Sequence, residues 1–210
     1  MLKEYIEKDA KLNKKQFICL LLIVDVLAGI TGWLYEYIFY YFNSGMKTFY
    51  MRGRNYLPWI NIYMYGSFLI LFLTYRRRKH PLQVFLISAL STGILEFFSG
   101  YILYDKLGWT RCWSYNEEIL NFGNIGGFVC LRSVTVFGLF GLLLIYGALP
   151  ILIKIIQSKH QKLVFTLSMI LFSIFMIDEI YNLLLYPYFP IPSAEEYYQS
   201  KGIQYIYFDH

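Results

Sequence analysis

Five long apolar segments alternate with short polar connections along the 210-residue chain. They cover about residues 17–42, 58–75, 81–104, 127–153 and 163–188. A helix needs about 20 residues to cross the hydrocarbon of a bilayer, and lipid offers the backbone no hydrogen-bond partner outside the helix. The pattern therefore predicts an all-α, polytopic membrane protein with about five transmembrane helices.

These segments divide the chain into three parts. Residues 1–16 are polar, and the apolar segment after them is too long for the core of a cleaved signal peptide. We expect residues 1–16 to form a cytoplasmic basic N-terminus and 17–188 to form a single transmembrane helical domain. Because three prolines follow residue 186, we expect the last helix to end near 188, leaving 189–210 as an external tail.

The lysine and arginine positions predict the orientation of the chain. Twelve of them lie before the first segment, between the second and third, and between the fourth and fifth. Six lie in the other connections and the tail. Cytoplasmic loops are enriched in Lys and Arg, so the N-terminus is predicted to lie inside. The same pattern explains the net charge of +5, which therefore does not indicate nucleic-acid binding.

The composition agrees with a chain surrounded by lipid. Hydrophobic residues make up 57% of the sequence and charged residues 16%, against about 25% charged in soluble domains. We expect a multi-pass protein of a cell membrane, of bacterial type. The three cysteines lack metal-site spacing, although Cys112 and Cys130 could fall on one side and pair. We expect no cofactor and no metal.

Six ionisable residues interrupt the apolar segments: Asp25, Glu36, Glu96, Arg132, Asp178 and Glu179. Each costs roughly 2.5–3.5 kcal/mol at the centre of a span, and such residues face a bundle interior or a cavity. In the predicted orientation Glu36, Glu96 and Asp178 fall in the outer half of the membrane, and so does Arg132. These four predict a polar pocket that opens outward, whereas Glu179 is expected to point elsewhere.

Helical spacing supports this grouping. Asp25, Gly29, Gly32 and Glu36 share one face of the first helix, because residues three or four apart lie above one another. Glycine beside a buried acid allows a neighbouring helix to come close. The alternative interpretation is that the buried charges pair with one another and only hold the bundle together.

Several short strings resemble the motifs of one known family. They are Gly32-Trp33-Leu34-Tyr35-Glu36, Arg52-Gly53-Arg54-Asn55-Tyr56-Leu57-Pro58-Trp59, Glu96 with Gly100, Trp113-Ser114-Tyr115, and Asn124-Ile125-Gly126-Gly127-Phe128-Val129-Cys130-Leu131. In order and spacing this set resembles the ABC-transporter type IV, or CmpB-like, family of small multi-span membrane proteins. Ser114 stands where the family pattern has Asp, and Arg54 where it has Phe.

The resemblance implies a membrane fold and a permease-like role. The sequence holds no GxxxxGK[ST] phosphate loop, so ATP hydrolysis would require a separate ATPase subunit. We predict a transporter or permease component, and an enzyme is the less favoured interpretation. The expected partners are membrane lipid, a small-molecule or ion substrate, and an ATPase subunit or further copies of the chain. The predicted substrate-binding residues are Glu36, Arg52, Glu96, Trp113, Tyr115, Asn124, Arg132 and Asp178.

Two alternatives remain at this point. Two carboxylates and two arginines at headgroup depth could bind a phosphate and move a proton, as in a membrane enzyme acting on outer-leaflet lipid. The chain could also be a structural or assembly subunit of a membrane complex with no substrate of its own.

Overall fold

A computed structural model of the chain describes residues 12–43, 50–109, 111–116 and 118–205. Its α-helices are α1 (Lys14–Asn43), α2 (Asn61–Thr74), α3 (Pro81–Gly100), α4 (Leu131–Leu142), α5 (Leu149–Ile156), α6 (Gln161–Ile180) and α7 (Ala194–Ser200). Short 3-10 helices cover Tyr75–Arg77 and Tyr186–Tyr188, and π-helical turns cover Tyr101–Lys106, Leu143–Ala148 and Tyr181–Leu185. The predicted all-α membrane fold is confirmed.

Four continuous helical segments are long and apolar enough to cross a membrane, within the part of the chain just given. They are Lys14–Phe42, Pro81–Lys106, Leu131–Ile156 and Gln161–Tyr188. The second predicted span, 58–75, contains only the 14-residue helix α2, which is shorter than the roughly 20 residues a span needs. The predicted orientation and the three-part division of the chain stay predictions.

The fourth span starts later than the sequence suggests. Gly126 and Gly127 have φ values of 62° and 76°, a left-handed conformation that glycine adopts without strain. Cys130 then takes an extended conformation, and the Ser133 side chain accepts a hydrogen bond from the Cys130 backbone N–H. For that reason α4 begins at Leu131, and residues 127–130 belong to the preceding loop.

Close contacts between helices occur at glycines, as the sequence spacing predicted for Gly32. A Cβ placed on Gly32 would lie 2.1 Å from the Tyr63 ring, and one on Gly141 would lie 2.1 Å from Ser88 Oγ. Both distances are shorter than any van der Waals contact. These two glycines therefore set how closely α1 approaches α2 and how closely α4 approaches α3.

The two ends of the bundle differ in what fills them. We call the end where residues 76–79 join α2 to α3 the basic end, and the opposite end, where α1 ends and α4 begins, the aromatic end. The main aliphatic core lies towards the basic end and consists of Cys19, Leu20, Val24, Leu71, Val84, Ile145, Leu149, Leu152, Ile153 and Ile156. The aromatic end holds most of the buried charges.

The last described residues fold back over the aromatic end. Helix α7 is capped by Ser193, whose side chain accepts a hydrogen bond from the backbone N–H of Glu196. Strand β2 (Gln204–Tyr205) then pairs in parallel with β1 (Tyr50–Met51), with Tyr50 opposite Gln204. The tail therefore contacts the loop that leads from β1 to α2.

Candidate functional site

A cavity of about 270 Å³ lies at the aromatic end. This is just below the size of typical small-molecule sites, about 300–1,000 Å³. Its charged lining residues are Glu36, Arg52, Arg54, Glu96, Glu118, Arg132 and Glu179. Its aromatic lining residues are Tyr35, Phe39, Tyr40, Tyr63, Tyr65, Tyr104, Trp109, Trp113, Tyr115 and Phe137. Helices α1, α2, α3, α4 and α6 contribute to this wall, as do the loop between β1 and α2 and the loop between α3 and α4.

The first ion pair of the cavity joins α1 to the loop after β1. Arg52 Nε donates to Glu36 Oε2 at 2.7 Å, and Arg52 Nη2 donates to the Cys112 carbonyl at 2.7 Å. The guanidinium also lies 4.0 Å from the centroid of the Tyr40 ring. Burial alone would lower the pKa of Arg52, but Glu36 and Tyr40 raise it above its usual range. Arg52 is therefore a permanent cation that its neighbours hold in place.

The second ion pair joins α4 to the loop before it. Arg132 Nη2 donates to Glu118 Oε2, and Arg132 Nη1 donates to the Ile119 carbonyl at 2.8 Å. The Tyr40 hydroxyl donates to the other Glu118 oxygen. Burial raises the pKa of Glu118, although the Tyr40 hydrogen bond and Arg132 act in the opposite direction. Tyr40 thus links the two ion pairs.

Glu96 of α3 has no cation within ion-pair distance among the described residues. Its carboxylate accepts hydrogen bonds from Tyr115 Oη at 2.5 Å and from Ser133 Oγ at 2.8 Å. The residue is only 4% exposed. Burial and the neighbouring Glu96 raise the pKa of Tyr115 well above its usual value, so the phenol keeps its proton and donates it.

The Ser133 hydroxyl allows the Glu96 carboxyl to exist in two protonation states. Ser133 Oγ lies 2.8 Å from Glu96 Oε2 and 3.0 Å from the Cys130 carbonyl, and it has one proton for these two acceptors. When the hydroxyl donates to Glu96, the carboxylate is charged. When it donates to Cys130, a protonated Glu96 can donate to Ser133. Both protonation states of Glu96 can therefore be hydrogen-bonded with the surrounding heavy atoms in the same positions.

Adjacent acids on α6 face different surroundings. Asp178 accepts hydrogen bonds from the backbone N–H groups of Tyr56 and Leu57 at 2.9 and 3.0 Å, so it anchors the loop before α2 and does not line the cavity. Glu179 lines the cavity and accepts a hydrogen bond from Asn61 Nδ2. This reverses the expectation for the pair, because successive helical residues point about 100° apart and the sequence alone does not say which faces inward.

The loop between α3 and α4 closes one side of the cavity. Trp113 Nε1 donates to the Phe128 carbonyl at 3.0 Å, and the Tyr115 backbone N–H donates to the Gly127 carbonyl at 3.0 Å. Asn124 instead bonds within the loop, donating to Asn116 at 2.6 Å and accepting from the Gly127 N–H at 2.8 Å. Trp113 and Tyr115 thus reach the cavity, while Asn124 shapes the loop that carries them.

Six of the eight predicted binding residues line the cavity, and Asn124 and Asp178 do not. The charges pair differently from our expectation, since Glu36 and Glu96 do not converge on Arg132. Arg132 pairs with Glu118 and Glu36 pairs with Arg52.

Sequence reasoning missed Glu118 because an acid in a polar loop looks solvated. Its position three residues after Tyr115, a predicted binding residue, was the available signal. The three cysteines are free thiols, so Cys112 and Cys130, which the sequence allowed to pair, do not form a disulfide.

One family matches the chain over most of its length. The model of the family described as "Putative ABC-transporter type IV" matches residues 10–183. Neither a curated protein nor a solved structure matches the chain. The chain therefore belongs to this family, and its apolar helices fit a membrane protein of the transporter type.

Proposed function

We propose, on the premise of this family membership, that the chain is the membrane-embedded component of a transporter. In this proposal the cavity at the aromatic end binds a small solute or ion. The orientation predicted from the Lys and Arg positions would make the cavity open to the outside. The observation that supports the proposal most is the cavity itself, where buried charges from separate elements surround about 270 Å³ of space.

A purely structural role for these charges explains less of the site. Buried ion pairs that only hold helices together need no free volume beside them. Here Glu36, Arg52, Glu118 and Arg132 are paired, and yet all four also line the cavity. The remaining acids, Glu96 and Glu179, have no ion-pair partner among the described residues.

Glu96 is the residue we propose to couple solute movement to proton movement. Its hydrogen bonds to Tyr115 and Ser133 hold the carboxyl in both protonation states, as described above. Exchange of one proton as the cavity changes access would connect the two fluxes. A separate ATPase subunit is an alternative energy source. In either case a second copy or a partner subunit would complete the small bundle.

Flux through proteoliposomes tests the proposal. The purified protein is reconstituted with a pH-sensitive dye inside, and a panel of small cations, anions and neutral solutes is added outside. We expect at least one solute to move protons, and Glu96→Gln to abolish that flux. Glutamine keeps the hydrogen bonds to Tyr115 and Ser133, so folding should be retained. Asp105→Asn removes a charge from a side chain that is 44% exposed and outside the cavity, and it should leave the flux unchanged.

Normal flux in both Glu36→Gln and Glu96→Gln proteins would contradict the proposal. A change in lipid composition on incubation with the purified protein would instead support an enzyme acting on outer-leaflet lipid. If no solute moves and the protein is stable only with a stoichiometric partner, it is an assembly subunit.

A further inference from the structure

Within the described part of the chain, two acids of the cavity have no cation beside them, whereas two of its guanidiniums already have carboxylate partners. Arg52 and Arg132 each donate to a carboxylate and to a backbone carbonyl. The third cation, Arg54, lies with its guanidinium carbon 5.1 Å from the centroid of the Trp109 ring. An anionic ligand at Arg52 or Arg132 would have to compete with these bonds.

The acids of the same cavity are differently placed. Glu96 and Glu179 are 4% and 5% exposed. Within the described ranges both accept hydrogen bonds from neutral donors only. Counted together, four carboxylates face three guanidiniums across the cavity, which leaves one negative charge in excess when all are ionised. Such a buried charge is unfavourable until a cation or a proton neutralises it.

The cavity walls already hold cations against aromatic rings. The Arg52 guanidinium lies 4.0 Å from the Tyr40 ring centroid, and that of Arg132 lies 4.7 Å from Phe39. Further lining rings carry no such guanidinium contact in the described structure, and these include Tyr63 and Phe137, whose centroids are 5.3 Å apart. Aromatic faces bind ammonium groups, most strongly when water is excluded.

We infer that the ligand of the cavity is a small organic cation, a primary to quaternary ammonium compound, held by Glu96 and Glu179 against the rings of Tyr63 and Phe137. A bare metal ion fits less well. No group of three or more His, Cys, Asp or Glu side chains in the described residues could hold one, and an aromatic wall supplies no oxygen ligand. This inference names the ligand class of the proposed transport site and rests on that proposal only for the ligand's movement.

Binding can be tested on the purified protein without any transport assay. Choline is the probe, and 3,3-dimethylbutan-1-ol is its uncharged counterpart of the same shape. Calorimetry and tryptophan fluorescence report binding, since Trp109 and Trp113 line the cavity. We expect saturable choline binding and at least about tenfold weaker binding of the neutral alcohol, because a desolvated cation–carboxylate contact is worth about that much. Potassium chloride at equal ionic strength should not compete.

Three variants locate the site. Glu96→Gln and Glu179→Gln should each weaken choline binding about tenfold, while the matched Asp105→Asn change outside the cavity should leave it within about twofold. Tyr63→Leu should weaken choline more than it weakens the neutral alcohol. Melting temperature and elution volume check that each variant is folded, and the comparison of choline with the alcohol needs no variant.

Each result decides one of the two proposals. Equal binding of choline and the alcohol, or full competition by potassium, would overturn the organic-cation inference. Choline that binds through Glu96 but never crosses the membrane would keep the inference and reject transport. Solute flux that depends on Glu96, with no choline binding, would keep transport and reject the ligand class.

Discussion

The basic and aromatic ends of the same bundle differ in the partners to which their polar side chains bond. At the basic end, most of the described polar side chains bond to backbone of their own helix or turn, and Tyr146, which donates to the Arg78 carbonyl at 2.7 Å, is an exception. Thr74 donates to the Ile70 carbonyl at 2.6 Å and Arg78 to the Tyr75 carbonyl at 2.9 Å. At the aromatic end, the bonds join elements far apart in sequence, such as Arg52 to Glu36 and Arg132 to Glu118.

This difference explains why the charged cavity lies at the aromatic end. Local bonds leave aliphatic side chains free to interdigitate, and Ile145 and Leu149 of this core are fully buried. A second cavity of about 210 Å³, which runs past Val24 and Leu152, is lined almost entirely by apolar side chains. Long-range bonds between planar carboxylates, guanidiniums and aromatic rings have fixed geometries, and these do not fill space as completely. The aromatic end therefore keeps room for a ligand, and its structure depends on charge where the basic end depends on packing.

The largest expected effect comes from removing one partner of the second ion pair. Arg132→Met leaves the Glu118 carboxylate, which is only 3% exposed, without its cation. Loss of one partner of a buried pair costs about 3–5 kcal/mol. The free energy of unfolding, measured by titration with SDS in mixed micelles, should fall by that amount at neutral pH.

The dependence on pH separates this charge effect from lost packing. Burial already raises the pKa of Glu118, and removal of Arg132 raises it further. A raised folded-state pKa means that the folded protein favours the protonated acid, so the deficit of the variant is small at acid pH and grows as pH rises through that pKa. The double variant with Glu118→Met should recover much of the stability. A pH-independent deficit, or no recovery, would contradict the electrostatic account.

A smaller loss is expected at Asp178, which holds the loop before α2. Its oxygens accept from the Tyr56 and Leu57 N–H groups. In Asp178→Asn an amide NH₂ replaces one acceptor and faces a donor, and loss of a charge-assisted bond costs about 1.5–3 kcal/mol. Hydrogen exchange at Tyr56 and Leu57 should accelerate by a matching factor. Asp105→Asn, which alters an exposed carboxylate, should change neither the free energy of unfolding nor this exchange rate. Exchange as slow in the Asp178 variant as in the unaltered protein would exclude the anchoring role.

The helices and the location of the polar site could be predicted from the sequence, and the reasons are physical. Lipid forces continuous apolar helices, so hydropathy located α1, α3, α4 with α5, and α6 to within a few residues. Ionisable residues inside a span cost free energy and face the bundle interior or a cavity. For this reason Glu36 and Glu96 indicated where a polar cavity would lie. The exception was α2, which at 14 residues is shorter than the span that its apolar segment predicted.

Pairing could not be predicted because it depends on loops with no repeating pattern. Glu118 looked like a solvated loop acid, and the bonds that place its loop against Arg132, such as that from Arg132 to the Ile119 carbonyl, follow no sequence pattern. The choice between Asp178 and Glu179 depends on helix rotation, which neighbours on both sides of α6 determine. The buried partner of Arg132 thus comes from a loop whose hydrophobic and polar positions follow no regular spacing.

A test of the packing-dominated end uses two glycines of one helical segment. A Cβ at Gly141 would lie 2.1 Å from Ser88 Oγ, whereas nothing lies within 4 Å of the Cβ position at Gly147. Gly141→Ala should therefore lower the free energy of unfolding by about 1–3 kcal/mol, as overpacking does. Gly147→Ala should leave it unchanged or slightly higher, since alanine favours helix. Equal effects of the two changes, or a strong pH dependence, would remove the contrast between the ends.

The smallest effect is expected in the tail that covers the aromatic end. Tyr198 Oη donates to the Tyr56 carbonyl at 2.5 Å, although the tail lies beyond the residues matched by the family. Tyr198→Phe should cost about 0.5–1.5 kcal/mol, the worth of one neutral hydrogen bond. Tyr188→Phe is the control, because Tyr188 is 82% exposed. If the tail steadies the loop that carries Arg52, exchange at the Tyr56 amide should accelerate only in the first variant. Equal exchange in both would make the tail a passive cover.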